Sequence, residues 1–236
     1  MDEGLARLEY LVSHGLLGLL TGPSGVGKSA LLKRFLQGLA PQRCEVVYCH
    51  QTHLSALGLL KRLVTQLGDV PRQYKDQVYQ QILERVQRVE GTLLLVFDEA
   101  HLLQSDALTD LRLLISSALD DGPPLKILLA GQESLRVTLK RAQHADFMNR
   151  VSVRFQLRPL TKDQTPHYID FQIVQAGGDA RTFDDSVKSL IHDFTGGVPR
   201  HINNLATACL LQATARKLAR IDEQVFQQVA SEFQLP

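Results

Sequence analysis

The sequence predicts an α/β fold, a parallel sheet sandwiched by helices and followed by a small all-helical C-terminal domain. Three observations lead there. Apolar runs of strand length alternate with helix-period segments through roughly the first 160 residues, the texture of βα units. Several of those runs are continuously apolar, as strands covered on both faces are. Beyond Pro159 no further strand-like run appears, and helical segments follow one another to the C-terminus.

The expected strands are Leu16–Leu20, Val46–Cys49, Leu93–Phe97, Ile127–Ala130 and Val151–Leu157. The second to fourth read as covered on both faces. The fifth alternates Val151, Val153, Phe155 and Leu157 with polar partners, so one of its faces should be more open. Between them, Leu60, Leu63, Val64 and Leu67 share one helical face, as do Val78, Ile82 and Val86, and then Leu108, Leu111 and Ile115. In the C-terminal part, Val187, Leu190, Ile191 and Phe194 form one apolar face; Ile202, Leu205 and Cys209 form another; Ile221, Val225 and Val229 form a third. Gly177-Gly178 and Gly196-Gly197 punctuate these helices, as glycines do just past helix ends. The boundary falls near Arg158–Thr161.

Composition narrows the class. In 236 residues, 26 Lys and Arg stand against 25 Asp and Glu, with 44% hydrophobic residues. A charge near neutrality gives no whole-chain case for nucleic acid or an anionic membrane. No apolar run approaches the roughly 20 residues of a membrane-spanning helix, and the start MDEGLARLEY lacks the layout of a signal peptide. Cys44, Cys49 and Cys209 have neither disulfide-framework nor zinc spacing, and are read as packing thiols in a reducing compartment. His50-x-x-His53 has no carboxylate or cysteine to complete a metal set. The expectation is a soluble, cytoplasmic protein.

The chemistry concentrates in two motifs. Gly22-Pro23-Ser24-Gly25-Val26-Gly27-Lys28-Ser29, with Ala30 next, fits G-x-x-x-x-G-K-[ST], a pattern that chance produces in only about 1% of chains this long. It follows the first strand and opens a helix with Leu31, Leu32, Phe35, Leu36 and Leu39 as its apolar positions. Backbone amides of such a loop converge on phosphate oxygens at the positive end of the helix dipole. Lys28 would reach the β- and γ-phosphates, and the Ser29 hydroxyl would ligate Mg²⁺. The second motif is Leu93–Phe97 followed by Asp98-Glu99. Adjacent carboxylates at the tip of a buried strand are costly unless something beyond the tip needs them. Asp98 is placed to hold the Mg²⁺ shell, and Glu99 to orient and deprotonate an attacking water. Together the motifs indicate hydrolysis of a nucleoside triphosphate.

With Asp98-Glu99-Ala100-His101, LKILLAGQESLR ending at Arg136, and FTGGVPRHINNL over Phe194–Leu205, the chain resembles the AAA+ ATPases, within them the ExeA/GspA-like group and, more distantly, transposition helper ATPases of the TniB and TnsC kind. The resemblance covers nearly the whole chain from about Leu5. It implies a P-loop nucleotide-binding αβα domain over residues 1–159 and a helical lid over 160–236, whose mutual angle changes on hydrolysis. It implies ATP and Mg²⁺ as ligands and a homo-oligomer with inter-subunit sites. It also implies three further roles. Gln132 matches a sensor position near the γ-phosphate, where a turn-forming polar residue is the plain alternative. Arg200, after Pro199, matches the second sensor, which reaches the γ-phosphate from the lid, against the plain alternative of a surface arginine. Arg150 matches the arginine finger that completes a neighbour's site, with Arg154 as competitor. His101 belongs to the family pattern and is not read as a base. The chain begins only about twenty residues before the loop, short of the group's usual phenylalanine- and proline-containing N-terminal segment, and it ends without the transmembrane or cell-wall-binding region of full-length members. Adenine recognition and a direct secretion role are therefore less supported than phosphate binding.

The role of ATP stays open between two partners. Gln132–Leu160 carries Arg136, Lys140, Arg141, Arg150, Arg154 and Arg158 against Glu133 and Asp146, a stripe that could neutralise DNA phosphates. A secretion or envelope protein is the other. A module that binds nucleotide without hydrolysis is opposed by Lys28, Ser29, Asp98, Glu99 and Arg200 occurring together.

Overall fold

The computed structural model describes residues 2–50, 54–117 and 125–233. His53 of the histidine pair lies outside them. The chain divides into two compact units, Met1–Gly22 with Lys28–Leu157, and Pro23–Gly27 with Arg158–Pro236.

The first unit is built on a five-stranded sheet of β1 (Leu17–Thr21), β2 (Cys44–Cys49), β3 (Thr92–Phe97), β4 (Leu125–Gly131) and β5 (Val151–Gln156). Its order is β2-β3-β4-β1-β5, and every pairing is parallel. Period-two alternation divides the side chains between two cores. Leu17, Leu19, Leu95, Phe97, Ile127 and Leu129 face α3 (Ala56–Gln66), α4 (Lys75–Arg88) and α5 (Ser105–Ser117). Leu20, Leu94, Val96, Leu128 and Ala130 face α1 (Asp2–His14) and α2 (Lys28–Gln37). The apolar faces read from the sequence are buried: Leu60, Leu63 and Val64 on α3, Val78, Ile82 and Val86 on α4, and Leu108, Leu111 and Ile115 on α5.

One strand departs from expectation. β2 is not covered on both faces; it is a sheet edge on which Val46 and Tyr48 are only half-buried. β1, which was not among the strands expected to be covered on both faces, is buried along its whole length because β4 and β5 flank it. β5, the other edge, has the open face expected of it. Lys126 was also unforeseen inside the sheet. It is 4% exposed, and its Nζ donates to the Gly15 carbonyl just past α1 at 2.7 Å. Burial lowers its pKa, and the carbonyl compensates part of that desolvation.

Short helices α6 (Glu133–Leu139) and α7 (Ala145–Asn149) connect β4 to β5. Fully buried Phe147 anchors α7 in the core shared with α5. Among the described residues, no helix is long and apolar enough to cross a membrane.

The second unit packs α8 (Gln164–Gln175), α9 (Asp185–Thr195), α10 (Pro199–Ala215) and α11 (Glu223–Phe233) around Val187, Ile191, Ile202, Leu205, Cys209 and Val229. Ile221 precedes α11 rather than joining its face, and it forms an isolated parallel bridge with Phe183. Lys188, 4% exposed, pins α9 to α8 through Asp170 at 2.8 Å and to its own first turn through Asp185 at 3.0 Å. Helix α9 ends at Gly196 in the left-handed region (φ 60°), and Pro199 starts α10 where its missing N–H costs nothing.

The two glycines of this turn differ. A Cβ on Gly196 would meet nothing within 4 Å, whereas one on Gly197 (φ 72°) would collide with the Leu160 carbonyl oxygen. The Gly197 carbonyl also accepts the Leu160 N–H at 2.9 Å. Gly196→Ala should therefore cost only the left-handed penalty, about 1 kcal/mol. Gly197→Ala should cost about 3 kcal/mol or more by adding a backbone clash. Urea denaturation of the two variants gives the comparison, and equal losses would contradict this account of the turn.

Candidate functional site

The carboxyl ends of β1, β3 and β4 lie side by side, since Thr21 pairs with Gly131 and Phe97 with Leu129. In open parallel sheets this is where ligands bind. After β1 come Gly22 and then Lys28, the first residue of α2. Buried Leu31, Leu32 and Phe35 seat that helix against the sheet and so fix its N-terminus. Lys28 is 5% exposed, and its Nζ donates to the Gly22 carbonyl at 2.9 Å, which turns the ammonium back toward the end of β1. Ser29 and Ala30 follow, both exposed.

The tip of the loop, Pro23–Gly27, groups with the second unit. There the Arg200 N–H donates to the Gly25 carbonyl and the Arg200 Nη1 to Ser24 Oγ, each at 3.2 Å. Gly25 has φ 77°, and a Cβ on it would stand 2.7 Å from the Arg200 Cβ, so both the turn and the arginine require glycine. Val26 is buried, and its N–H bonds back to the Pro23 carbonyl at 3.4 Å. Arg200 is itself exposed.

Asp98 is the centre of the first unit's site. It has no exposed surface and receives donors on both oxygens. Ser29 Oγ donates to Oδ2 at 2.9 Å, the Tyr48 hydroxyl donates to the same oxygen at 2.7 Å, and the Glu99 N–H donates to Oδ1 at 2.9 Å. His50 Nδ1 stands 3.8 Å from Oδ2. Burial first, then the hydrogen bond to Asp98 and the charges of Asp98 and Glu99, hold the Tyr48 phenol far above its usual pKa, which keeps it a donor. Tyr48 is the residue that sequence reading missed. In an apolar strand it reads as core, and the available signal was only its place one step short of the end of a strand paired with β3.

Glu99 adopts φ 51°, ψ 34°, a left-handed conformation unusual for a residue other than glycine and of order 1–3 kcal/mol in strain. It turns the chain into a 3-10 segment, Ala100–Leu102, and its Oε2 lies 3.4 Å from His101 Nδ1. The His101 backbone packs in turn on Gly131 at the end of β4, where a Cβ would stand 3.0 Å from the His101 nitrogen. Gln132 follows directly as the residue before α6, half-buried and making no side-chain cap.

The structure does not bring Arg150 to this cluster. It precedes β5, whose first residue pairs with Leu17 at the amino end of β1, the opposite end of the sheet from Thr21. Arg150 is half-buried, and among the described residues no side-chain hydrogen bond or ion pair engages its guanidinium. Arg154 is exposed and donates to the Met148 carbonyl at 3.3 Å.

Ser29 and Asp98 are hard oxygen donors, side by side and next to the lysine loop. Among the described residues no cluster of three His, Cys, Asp or Glu side chains could cage a metal. That donor set fits Mg²⁺, which is held through one carboxylate, a hydroxyl, substrate phosphates and waters rather than by an all-protein cage.

Fold and site together define a P-loop ATPase of the AAA+ kind, and the chain belongs to the family described as AAA domain, whose profile matches residues 11–139. More particularly, it is 29% identical over 221 residues to the General secretion pathway protein A of Aeromonas hydrophila, a match covering 91% of this chain and 40% of that protein. The chain thus spans two fifths of that relative's length. Among solved structures it is similar to Cdc6p from Pyrobaculum aerophilum, with a TM-score of 0.73 and 17% identity over 98% of this chain and 66% of that one. It is similar to the Aeropyrum pernix ORC1 protein in complex with DNA, with a TM-score of 0.71 and 17% identity over 99% of this chain and 65% of that one. The Thermotoga maritima RuvB Holliday junction branch migration motor gives 0.64 and 17%, over 100% and 68%. At these identities the structural likenesses establish the fold.

The cysteines take no part in this site. Cys44, Cys49 and Cys209 are all buried free thiols. Burial raises the pKa of Cys44, and it brings Cys49 and Cys209 each to about 11. Since the thiolate is the reactive species, the native protein at pH 8 should resist an aromatic disulfide reagent and release its full thiol count only in denaturant. Rapid labelling of the native chain would show that these thiols are not core residues.

Proposed function

We propose that this chain is a Mg²⁺-dependent ATPase that works as an oligomeric conformational switch. The observation that carries the reading is the contact of Ser29 Oγ with buried Asp98 beside Lys28, which supports a shared site where a hydroxyl and the strand-tip acid would hold Mg²⁺. Residues 1–159 would bind the nucleotide and 160–236 would act as lid, in the cytoplasm where ATP is supplied. The loop amides from Gly22 to Ala30 and the Lys28 ammonium would hold the phosphates, with Ser29 and Asp98 toward the metal. Bound Mg²⁺ would neutralise charge on the phosphate oxygens. Glu99 would take the proton of the attacking water, and Gln132 would orient that water or the γ-phosphate. Arg200 would add positive charge from its own chain and Arg150 from a neighbour. Arg150 is preferred to Arg154 because the Arg154 guanidinium is already committed to Met148.

A second reading concerns what the switch acts on. Arg136, Lys140, Arg141, Arg150 and Arg154 lie in the first unit, and among its described residues none is in an ion pair. Asp146, the acid among them, pairs with Arg112 at 3.1 Å, and Glu133 accepts from Gln156 at 2.9 Å. This uncompensated charge favours DNA as partner, a transposition-helper type of role. The likeness to a general secretion pathway protein favours an envelope or secretion protein instead. ATPase turnover with and without duplex DNA across a salt series separates the two. Stimulation by DNA that salt suppresses supports the first, and turnover indifferent to DNA supports the second.

Three variants test the site. Lys28→Ala should weaken ATP binding by about tenfold or more. Glu99→Gln should bind ATP normally and lose turnover by about a hundredfold or more. Arg150→Ala should be inactive alone, but mixing it with Glu99→Gln should restore part of the turnover, because mixed interfaces then pair an intact Glu99 with an intact Arg150. Normal turnover in Glu99→Gln removes that residue from its role, and failure of the mixture to recover removes the trans assignment.

A further inference from the structure

We infer that Tyr48 is a positioning residue for the metal: its hydroxyl fixes the Asp98 carboxylate in the orientation that receives Mg²⁺, so that it governs affinity for the ion rather than for the nucleotide. The inference rests on the ATPase reading of the Ser29–Asp98 pair.

Two observations carry it. The first is connectivity. Asp98 Oδ1 is held by the Glu99 N–H within its own strand tip, but Oδ2 depends on two side chains from other elements, Ser29 at the start of α2 and Tyr48 on β2. Ser29 must offer its oxygen to the ion when the ion binds, and its contact with Asp98 then changes character. The Tyr48 hydroxyl has no such second duty. It is the donor on Oδ2 that need not turn to the ion when the ion binds, which is what orienting a ligand carboxylate requires.

The second observation is the exposure of Tyr48, which packs on one side against the core beneath α1 and α2 and is open on the other. A tyrosine whose work is packing has its ring buried. Here the residue is half-buried, and it walls an open groove of about 530 Å³ with Ser29, Lys33, Leu36 and Gln37. The groove lies against the edge strand. Among the described residues, the hydroxyl's contact with a fully buried carboxylate is the one hydrogen bond of the Tyr48 side chain.

The test is Tyr48→Phe, which keeps the ring and removes only the hydroxyl. Binding of N-methylanthraniloyl-ATP is followed first in EDTA and then as a Mg²⁺ titration at fixed nucleotide. The expected result is metal-free nucleotide affinity within about twofold of the unmodified chain, an unchanged melting temperature without ligand, and a Mg²⁺ midpoint raised about tenfold, as for loss of a hydrogen bond to a charged group. The chain has 5 Tyr and no Trp, so its intrinsic emission gives a readout independent of nucleotide. Mg²⁺ should change the tyrosine emission of the unmodified protein, and that change should be absent in Tyr48→Phe. A Mg²⁺ midpoint within twofold of the unmodified chain overturns the inference. So does an equal loss of metal-free nucleotide affinity and melting temperature, which would mark Tyr48 as packing alone. If the unmodified chain binds nucleotide with no dependence on Mg²⁺, the ATPase reading falls as well, and that result is distinct from a failure confined to Tyr48.

Discussion

A carboxylate with no exposed surface at the tip of a hydrophobic strand is unfavourable by several kcal/mol unless donors surround it. Asp98 meets that requirement with donors from three places: the first turn of α2, the edge strand β2, and its own next peptide. Each donor has a structural precondition. Ser29 reaches Asp98 only because Leu31, Leu32 and Phe35 seat α2 on the sheet, and Tyr48 only because β2 pairs in register with β3. The Glu99 N–H needs only the peptide that follows Asp98 itself. Satisfying one buried acid thereby ties the first turn of α2 and the edge strand to the tip of β3.

Strain falls where chemistry is proposed. The left-handed turn at Glu99 carries its side chain away from the strand axis and toward His101. An unstrained extension of β3 would have sent successive side chains to opposite faces of the sheet. Both acids therefore serve the same end of the sheet at the cost of a backbone conformation that burial around Ala100 enforces.

Much of this was legible in the sequence because it depends on periodicity and on residues that only one environment accommodates. The lysine loop was readable because Gly25 and Gly27 take positive φ, and Gly-Gly-Val-Pro because Gly196 and Pro199 mark where one helix stops and the next starts. What stayed hidden depends on strand order, which a one-dimensional pattern does not encode. An apolar run cannot say whether it lies at the centre or the edge, so β2 read as covered and Tyr48 as core. Lys126 was hidden for a related reason: its partner is the carbonyl after α1, distant in sequence and reached only when β4 lies beside β1. The arginines resisted assignment because a finger is defined by the site it enters, and on the proposed reading that site would belong to a neighbouring chain.

Sheet polarity bears directly on that last point. Arg150 precedes the residue paired with Leu17, while the phosphate loop begins after Thr21, paired with Gln156. A parallel strand rises about 3.3 Å per residue, so the length of β1 separates the two ends by more than an arginine side chain spans. Whatever Arg150 contributes to hydrolysis, it cannot contribute to the site of its own chain. The proposed chemistry thus contains an internal condition. Lys28, Ser29, Asp98 and Glu99 are assembled by the fold of one chain, and Arg200 belongs to the same chain, but on the proposed reading the Arg150 cation would have to arrive with another. On that reading such an ATPase would hydrolyse at the rate of its assembled interfaces, and whatever gathered the chains together would set turnover without touching the nucleotide.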